Sequence, residues 1–148
     1  MDETMKMRLL FAIPDDQSLA LMYSILTSAL ELNPLAVETA TVANYVDLMK
    51  RVVADGDDIV LLDWNIAGPD TSAVVEEILA LNPRLRVVAL LPMTLHQYRR
   101  QVWCAGACNG IPKEYMDQEW LSTVLCIMHR AMEREAKLLA KYGAAQPA

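Results

Sequence analysis

Apolar residues fall into two alternating kinds of run along this chain. Five are short and of strand length: 7–14 (MRLLFAIP), 36–42, 59–62, 87–91 (VVALL) and 110–113. The longer segments between them carry apolar residues every three or four positions, the spacing of a helix with one buried face. The first spans 17–32, with Leu19, Met22, Leu26, Ala29 and Leu30, and Asn33-Pro34 stops it. The second spans 43–54, with Val46, Met49 and Val53, and ends at Asp55-Gly56. Further helices are predicted over 71–81, ended by Asn82-Pro83, and over 95–105, ended by the C-cap glycine Gly106. A long last helix over 119–142 carries Leu121, Leu125, Met128, Met132 and Leu139 on one stripe. The second strand alternates around Val37, Thr39 and Thr41, whereas IVLL and VVALL have no polar alternation. Unbroken apolar strands suit a parallel sheet covered on both faces.

Strand and helix alternate five times, so the predicted fold class is α/β. The expected architecture is a doubly wound five-stranded parallel sheet with flanking helices and an extended C-terminal helix. A length of 148 residues suits one domain. That domain is placed over 7–132, with 133–148 an extension of the last helix and a frayed tail.

Composition narrows the function classes. An apolar fraction of 54% excludes a disordered chain. A net charge of −6 argues against non-specific nucleic-acid binding, which needs a positive field over the phosphates. No apolar run reaches the roughly 18 residues that cross a bilayer, and Met1 to Lys6 is short and acidic, unlike a signal peptide. A cytoplasmic protein with protein partners, and with neither nucleic acid nor membrane, is the expectation. Cys104, Cys108 and Cys126 form no C-x-x-C and read as reduced, buried thiols. His96 and His129 lack metal-ligand spacing and read as surface or packing positions.

Three predicted strand ends carry charge: Asp15-Asp16 after the first, Asp63 after the third and Lys113 after the fifth. Singly, each has an ordinary explanation: a helix N-cap, a turn residue or a solvated lysine. Jointly they sit where open parallel sheets form their sites. Like-charged carboxylates at about 4 Å cost roughly 4 kcal/mol per pair at an effective dielectric near 20, so a hard cation is expected among them. Mg²⁺ fits, since it takes one or two carboxylates, keeps several waters and shares a phosphate oxygen. Asp63 is the candidate nucleophile toward phosphorus. Asp16 is the candidate direct metal ligand, Asp15 a ligand through water, and the Asn65 backbone carbonyl a further ligand. Lys113 is the candidate contact to the phosphoryl group.

At these residues the sequence resembles the receiver domains of two-component response regulators. The matching pieces are LLFAIPDD (9–16), DDIVLLDWNIAGPD (57–70) and GACNGIPK (106–113), and the resemblance spans 8–132. It implies a flavodoxin-like receiver fold, an acidic pair at Asp15 and Asp16, a phosphoacceptor at Asp63, a carbonyl ligand at Asn65 and a lysine at Lys113. It also implies phosphoryl supply by a histidine kinase, a phosphotransfer protein or a small donor. Output would pass through the fourth helix, fifth strand and fifth helix to a protein target in trans, with no enzyme activity beyond slow self-dephosphorylation.

The chain departs from the family at the switch. The Thr or Ser that ends the family's fourth strand falls on Leu91, and the aromatic of its fifth strand falls on Gly110. The Pro after the lysine is Glu114, and Thr94 lies three residues beyond Leu91. Two readings follow: a phosphoacceptor signalling by another route, or a degenerate pseudo-receiver that docks partners without phosphorylation. A flavin- or nucleotide-binding flavodoxin-like protein is the third, and the Asp-Asp-Gln-Ser loop after the first strand counts against it. Apolar Leu21, Ile25 and Leu32 on the first helix, and the stripe reaching Leu139 and Tyr142 on the last, point to a homodimer.

Overall fold

The computed structural model describes residues 6–143. Five strands form one parallel sheet: β1 (Met7–Ala12), β2 (Val37–Val42), β3 (Ile59–Asp63), β4 (Arg86–Leu91) and β5 (Asn109–Pro112), in the order β2-β1-β3-β4-β5. Register is continuous across the centre, with Ala12 opposite Leu62, Asp63 opposite Leu90, and Leu91 opposite Pro112. The helices are α1 (Asp16–Leu32), α2 (Tyr45–Ala54), α3 (Thr71–Leu81), α4 (Arg99–Cys104) and α5 (Gln118–Tyr142).

Strand alternation divides the core into two layers. Leu9, Phe11, Ile59, Leu61, Val88, Leu90 and Ile111 point to the side where α1 and α5 contribute Met22, Leu26, Leu121 and Leu125. Leu10, Ala12, Val60, Leu62, Val87, Ala89 and Leu91 point to the other side, against Leu48, Val52, Val75, Ile78 and Val102 of α2, α3 and α4. Every residue of β3 is buried, as the unbroken apolar run required.

Side chains close three of the helix starts. Asp15 accepts from the Ser18 N–H, Asn44 from the Asp47 N–H and Asp117 from the Trp120 N–H. Each such cap stabilises a helix by about 1 kcal/mol. At the amino ends of the strands, just before β3, Arg51 holds the buried Asp57 through two hydrogen bonds of 3.1 and 2.7 Å. Arg84 and Arg86 both reach Glu135, at 3.3 and 3.5 Å, and tie the far part of α5 to the sheet.

Five local features differ from the sequence expectations. First, α2 buries Leu48 and Val52 and leaves Val46 and Val53, expected on its apolar face, exposed. Second, the predicted helix over 95–105 is shorter: Met93–Tyr98 is a 3₁₀ segment interrupted at Leu95, and only Arg99–Cys104 is α-helical. Pro92 precedes this segment, and the Leu95 N–H bonds to its carbonyl at 2.9 Å in place of a regular helical start. Third, Trp64–Ala67, expected as loop, is a helical turn capped by Asp63. Fourth, the cysteines are free, but Cys104 and Cys108 are exposed rather than buried. Cys104 ends a helix whose only buried residue is Val102, and Cys108 precedes an edge strand. Fifth, Leu21 and Leu32 are exposed on α1, whereas Ile25 packs against the core.

The α5 helix runs unbroken through residue 132 and exposes Leu138, Leu139 and Tyr142. The expected frayed tail from 144 on lies outside the described residues, as does the His96 side chain; His129 pairs with Glu133 at 3.4 Å. Among the described residues no helix is long and apolar enough to cross a membrane.

Gly106 lets the chain leave α4 and enter β5 at φ +112°, and a Cβ there would lie 2.5 Å from Leu79 Cδ1. Gly106→Ala is therefore expected to lower stability by about 1–3 kcal/mol, read as an earlier midpoint in urea unfolding at unchanged slope.

Candidate functional site

The winding reverses between β1 and β3, since the chain passes from β1 outward to β2 and then to β3 on the other side. In such sheets a crevice opens beyond the carboxyl ends of the two strands at the reversal. Asp63 is the last residue of β3 and is completely buried. Its Oδ1 accepts the Asn65 N–H at 2.8 Å, which closes the Trp64–Ala67 turn. Lys113 leaves the end of β5 on a 3₁₀ turn (Lys113–Tyr115) and reaches past the end of β4 to Asp63. Strand spacing is about 4.8 Å, so crossing two intervals takes a side chain as long as lysine.

The ammonium sits between the two carboxylate oxygens. It donates to Oδ1 at 3.0 Å and lies 2.8 Å from Oδ2. Among the described residues Oδ2 nevertheless has no hydrogen bond of acceptable direction, and it is buried. A buried acceptor that feels a cation but lacks a directed donor is under-satisfied, at a cost of about 1–3 kcal/mol. It is the atom of this site with capacity for another partner.

The remaining sequence candidates are disposed differently. Asp15 turns back onto α1, its Oδ2 accepting both the Ser18 N–H and the Ser18 hydroxyl at 2.8 Å. The Ser18 hydroxyl, then the Ser18 amide and more weakly the Lys113 charge, hold the Asp15 carboxyl below the usual carboxylate range. Asp15 thus serves as an N-cap. Asp16 is exposed in the first turn of α1, on the connection leaving β1 beside the end of β3. Asn65 is exposed in the turn after Asp63. Among the described residues no three His, Cys, Asp or Glu side chains are grouped to hold a metal.

That donor set still suits one metal. Mg²⁺ uses one or two carboxylates and takes its other oxygens from waters, carbonyls and phosphate, and does not need an all-protein cage. The orphaned Oδ2 of Asp63, the exposed Asp16 carboxylate and the Asn65 carbonyl are donors of that kind.

On the β4 and β5 side the surroundings are apolar. Leu91 is buried in the second core layer with Leu62 and Val102, so the end of β4 offers no hydroxyl to Asp63. Gly110 is buried beneath α4: a Cβ there would lie 3.1 Å from Val102 Cγ2 and 3.5 Å from Arg99 Cγ. Helix α4 thus occupies the space a β5 aromatic would need. Thr94 is exposed. Two contacts escaped the sequence reading: the Met93 N–H donates to Glu114 Oε1 at 3.1 Å, and Trp64 packs on Tyr98 with ring centroids 4.8 Å apart. Neither follows a spacing rule, because both join residues distant in sequence.

No protein-family model matches the chain, and no curated protein matches it in sequence. Solved structures do match in fold. The receiver domain of a sensor histidine kinase from Pseudomonas aeruginosa, crystallised with magnesium coordinated in its active-site cleft, is 17% identical with a TM-score of 0.67. The match covers 84% of this chain and 98% of that one. A response regulator from Thermotoga maritima is 15% identical with a TM-score of 0.66, over 85% and 99%. The receiver domain of a DNA-binding response regulator from Colwellia psychrerythraea is 18% identical with a TM-score of 0.65, over 82% and 97%. At these identities the likeness establishes the fold: this chain has the flavodoxin-like fold of response-regulator receiver domains.

Two predictions follow from the charges. Lys113→Ala strands the buried Asp63 carboxylate and is expected to cost about 2–4 kcal/mol at neutral pH in urea unfolding, less than a fully buried pair because the lysine is partly exposed. Ser18→Ala removes the largest influence on Asp15 and is expected to raise its titration midpoint toward the ordinary carboxylate range, read by carboxyl NMR. Because the folded pKa lies below the unfolded one, the Asp15 contribution is present above the ordinary range and is lost as pH falls through the lowered value. The variant should therefore show a weaker acid dependence of stability than the wild type.

Proposed function

We propose that this chain is a phosphoacceptor receiver domain of the response-regulator kind, with Asp63 as the acceptor. The observation that carries the reading is the buried Asp63 carboxylate, whose Oδ2 lacks a directed donor while Lys113 lies against both of its oxygens. In the proposed step Oδ2 attacks the phosphorus of a phosphohistidine or an acyl phosphate. The Oδ2–P bond forms as the donor P–N or P–O bond breaks, and the leaving group keeps that electron pair. Lys113, held against Asp63, would meet the negative oxygens of the transferred group, and the Asn65 N–H engages Oδ1, leaving Oδ2 as the oxygen without a directed donor. Asp63, Asp16 and the Asn65 carbonyl, with Asp15 through water, would hold Mg²⁺, which when bound supplies positive charge against the phosphoryl oxygens.

The reading makes the protein a cytoplasmic phosphoprotein without enzyme turnover beyond slow self-dephosphorylation. Its partners are a histidine kinase or phosphotransfer protein upstream and a protein target downstream. The apolar residues left exposed on α1 and at the end of α5 favour a homodimer. A second reading, the pseudo-receiver, is favoured by Leu91 and Gly110, which cannot supply the family's hydroxyl and aromatic switch.

The two readings part on intact mass after incubation with Mg²⁺ and acetyl phosphate. A gain of one phosphoryl group in wild type, absent without Mg²⁺ and absent in Asp63→Asn, is the expected result. No gain in wild type with either acetyl phosphate or phosphoramidate leaves the pseudo-receiver.

A further inference from the structure

The amino ends of the strands, away from the acceptor, gather charged side chains that the site at Asp63 does not use. Most of them have partners of their own. Arg51 grips Asp57 through bonds of 3.1 and 2.7 Å, and Arg8 grips both oxygens of Asp58 at 3.2 and 2.9 Å. Lys6 lies 3.4 Å from Glu38, and Asp55 accepts from the Asn82 amide at 2.8 Å. Arg84 and Arg86 instead share the single carboxylate of Glu135, one oxygen to each, at 3.3 and 3.5 Å. Charge-assisted bonds of this kind close to about 2.7–2.9 Å, so one distant carboxylate serves two guanidinium groups poorly.

Glu135 comes from the far part of α5, where Met132, Ala136 and Leu139 wall a cavity of about 210 Å³ over these charges. Arg84, Arg86, Glu135 and Leu139 also border a second, more open cleft. There Leu79, Pro83 and Leu85 supply apolar surface, and the exposed Cys108 lines it. The arginine pair thus lies where a charged cavity meets an apolar cleft. The cavity is smaller than the roughly 300–1,000 Å³ of sites that enclose a whole ligand. It has room for an anionic head whose body extends into the cleft.

We propose that this junction binds a small amphiphilic carboxylate, its acid group displacing Glu135 from Arg84 and Arg86 and its apolar body lying along Leu79, Leu85 and Leu139. A guanidinium fork matches a carboxylate with two parallel N–H bonds, which Glu135 does not make with either arginine. A monoanion suits the cavity better than a phosphate dianion. Asp55, Asp57, Asp58 and Glu135 offset Lys6, Arg8, Arg84 and Arg86 around it, so added negative charge meets repulsion. The site lies at the other end of the strands from Asp63 and does not rest on the phosphoacceptor reading.

Sodium octanoate is the probe, titrated by calorimetry. Wild type is expected to bind it with a Kd below about 1 mM. Inorganic phosphate and 1-octanol, each lacking half of the ligand, should bind at least tenfold more weakly. Octanoate should also slow alkylation of Cys108 by iodoacetamide and leave Cys104, which lines neither cavity, unchanged. Glu135→Gln removes the competing carboxylate and should tighten binding about fivefold. Arg84→Met, at an exposed side chain, should weaken it at least fivefold. The proposal is overturned by a wild-type Kd above about 10 mM, by equal binding of 1-octanol or phosphate, or by unchanged Cys108 alkylation. Wild-type affinity in Arg84→Met, or no tightening in Glu135→Gln, overturns it as well. Asp63→Asn should bind octanoate like wild type, so failure of the acetyl phosphate experiment leaves this site standing.

Discussion

Asp63 ends the central strand of the sheet with its carboxylate entirely out of water. A buried charge of that kind persists in a folded protein only when a counter-charge and hydrogen bonds meet it, since breaking such a pair costs about 3–5 kcal/mol. Much of the local architecture serves this requirement. Strand β5 must pair beside β4 so that Lys113 emerges two strands away at the right height. The turn after β3 must close tightly so that the Asn65 N–H reaches Oδ1. What these partners leave over is Oδ2, at the carboxyl end of β3 where the winding of the sheet reverses. The site is thus an electrostatic arrangement in which one oxygen accepts directed hydrogen bonds and the other is left without a directed donor.

The acidic half of the site is arranged more loosely than the basic half. Asp15 spends its Oδ2 on Ser18, and Asp16 is exposed, so the carboxylates do not crowd one another. That disposition relieves the like-charge repulsion which a tight triad would have to overcome. The surroundings are apolar at Leu91 and beneath α4 at Gly110, while Trp64 and Glu114, the chain neighbours of Asp63 and Lys113, contact the β4–α4 segment at Tyr98 and Met93.

Much of this was legible in the sequence because burial on two faces leaves a strong mark. The runs LLFA, IVLL and VVALL became central strands because nothing polar interrupts them, and Gly106 proved to need its positive φ. Lys113 meeting Asp63 followed from charges at strand ends. Helix α4 was over-extended because periodicity over 95–105 says nothing of the bond from the Leu95 N–H to Pro92, which starts a 3₁₀ turn instead. The Asp15 cap was foreseen only as the alternative to its metal role, and both depend on which way one short side chain turns. The Trp64–Tyr98 and Glu114–Met93 contacts had no local signature, being set by how α4 lies over β5.

The central claim concerns one oxygen atom, and trapping its product by reduction tests it directly. Borohydride reduces an acyl phosphate on an aspartate to homoserine, which peptide sequencing by mass spectrometry locates. After exposure to Mg²⁺ and a small phosphodonor, homoserine is expected at position 63 and at no other aspartate. Aspartate intact at 63 under conditions that convert a known receiver domain, or homoserine at Asp15 or Asp16 instead, would contradict the account.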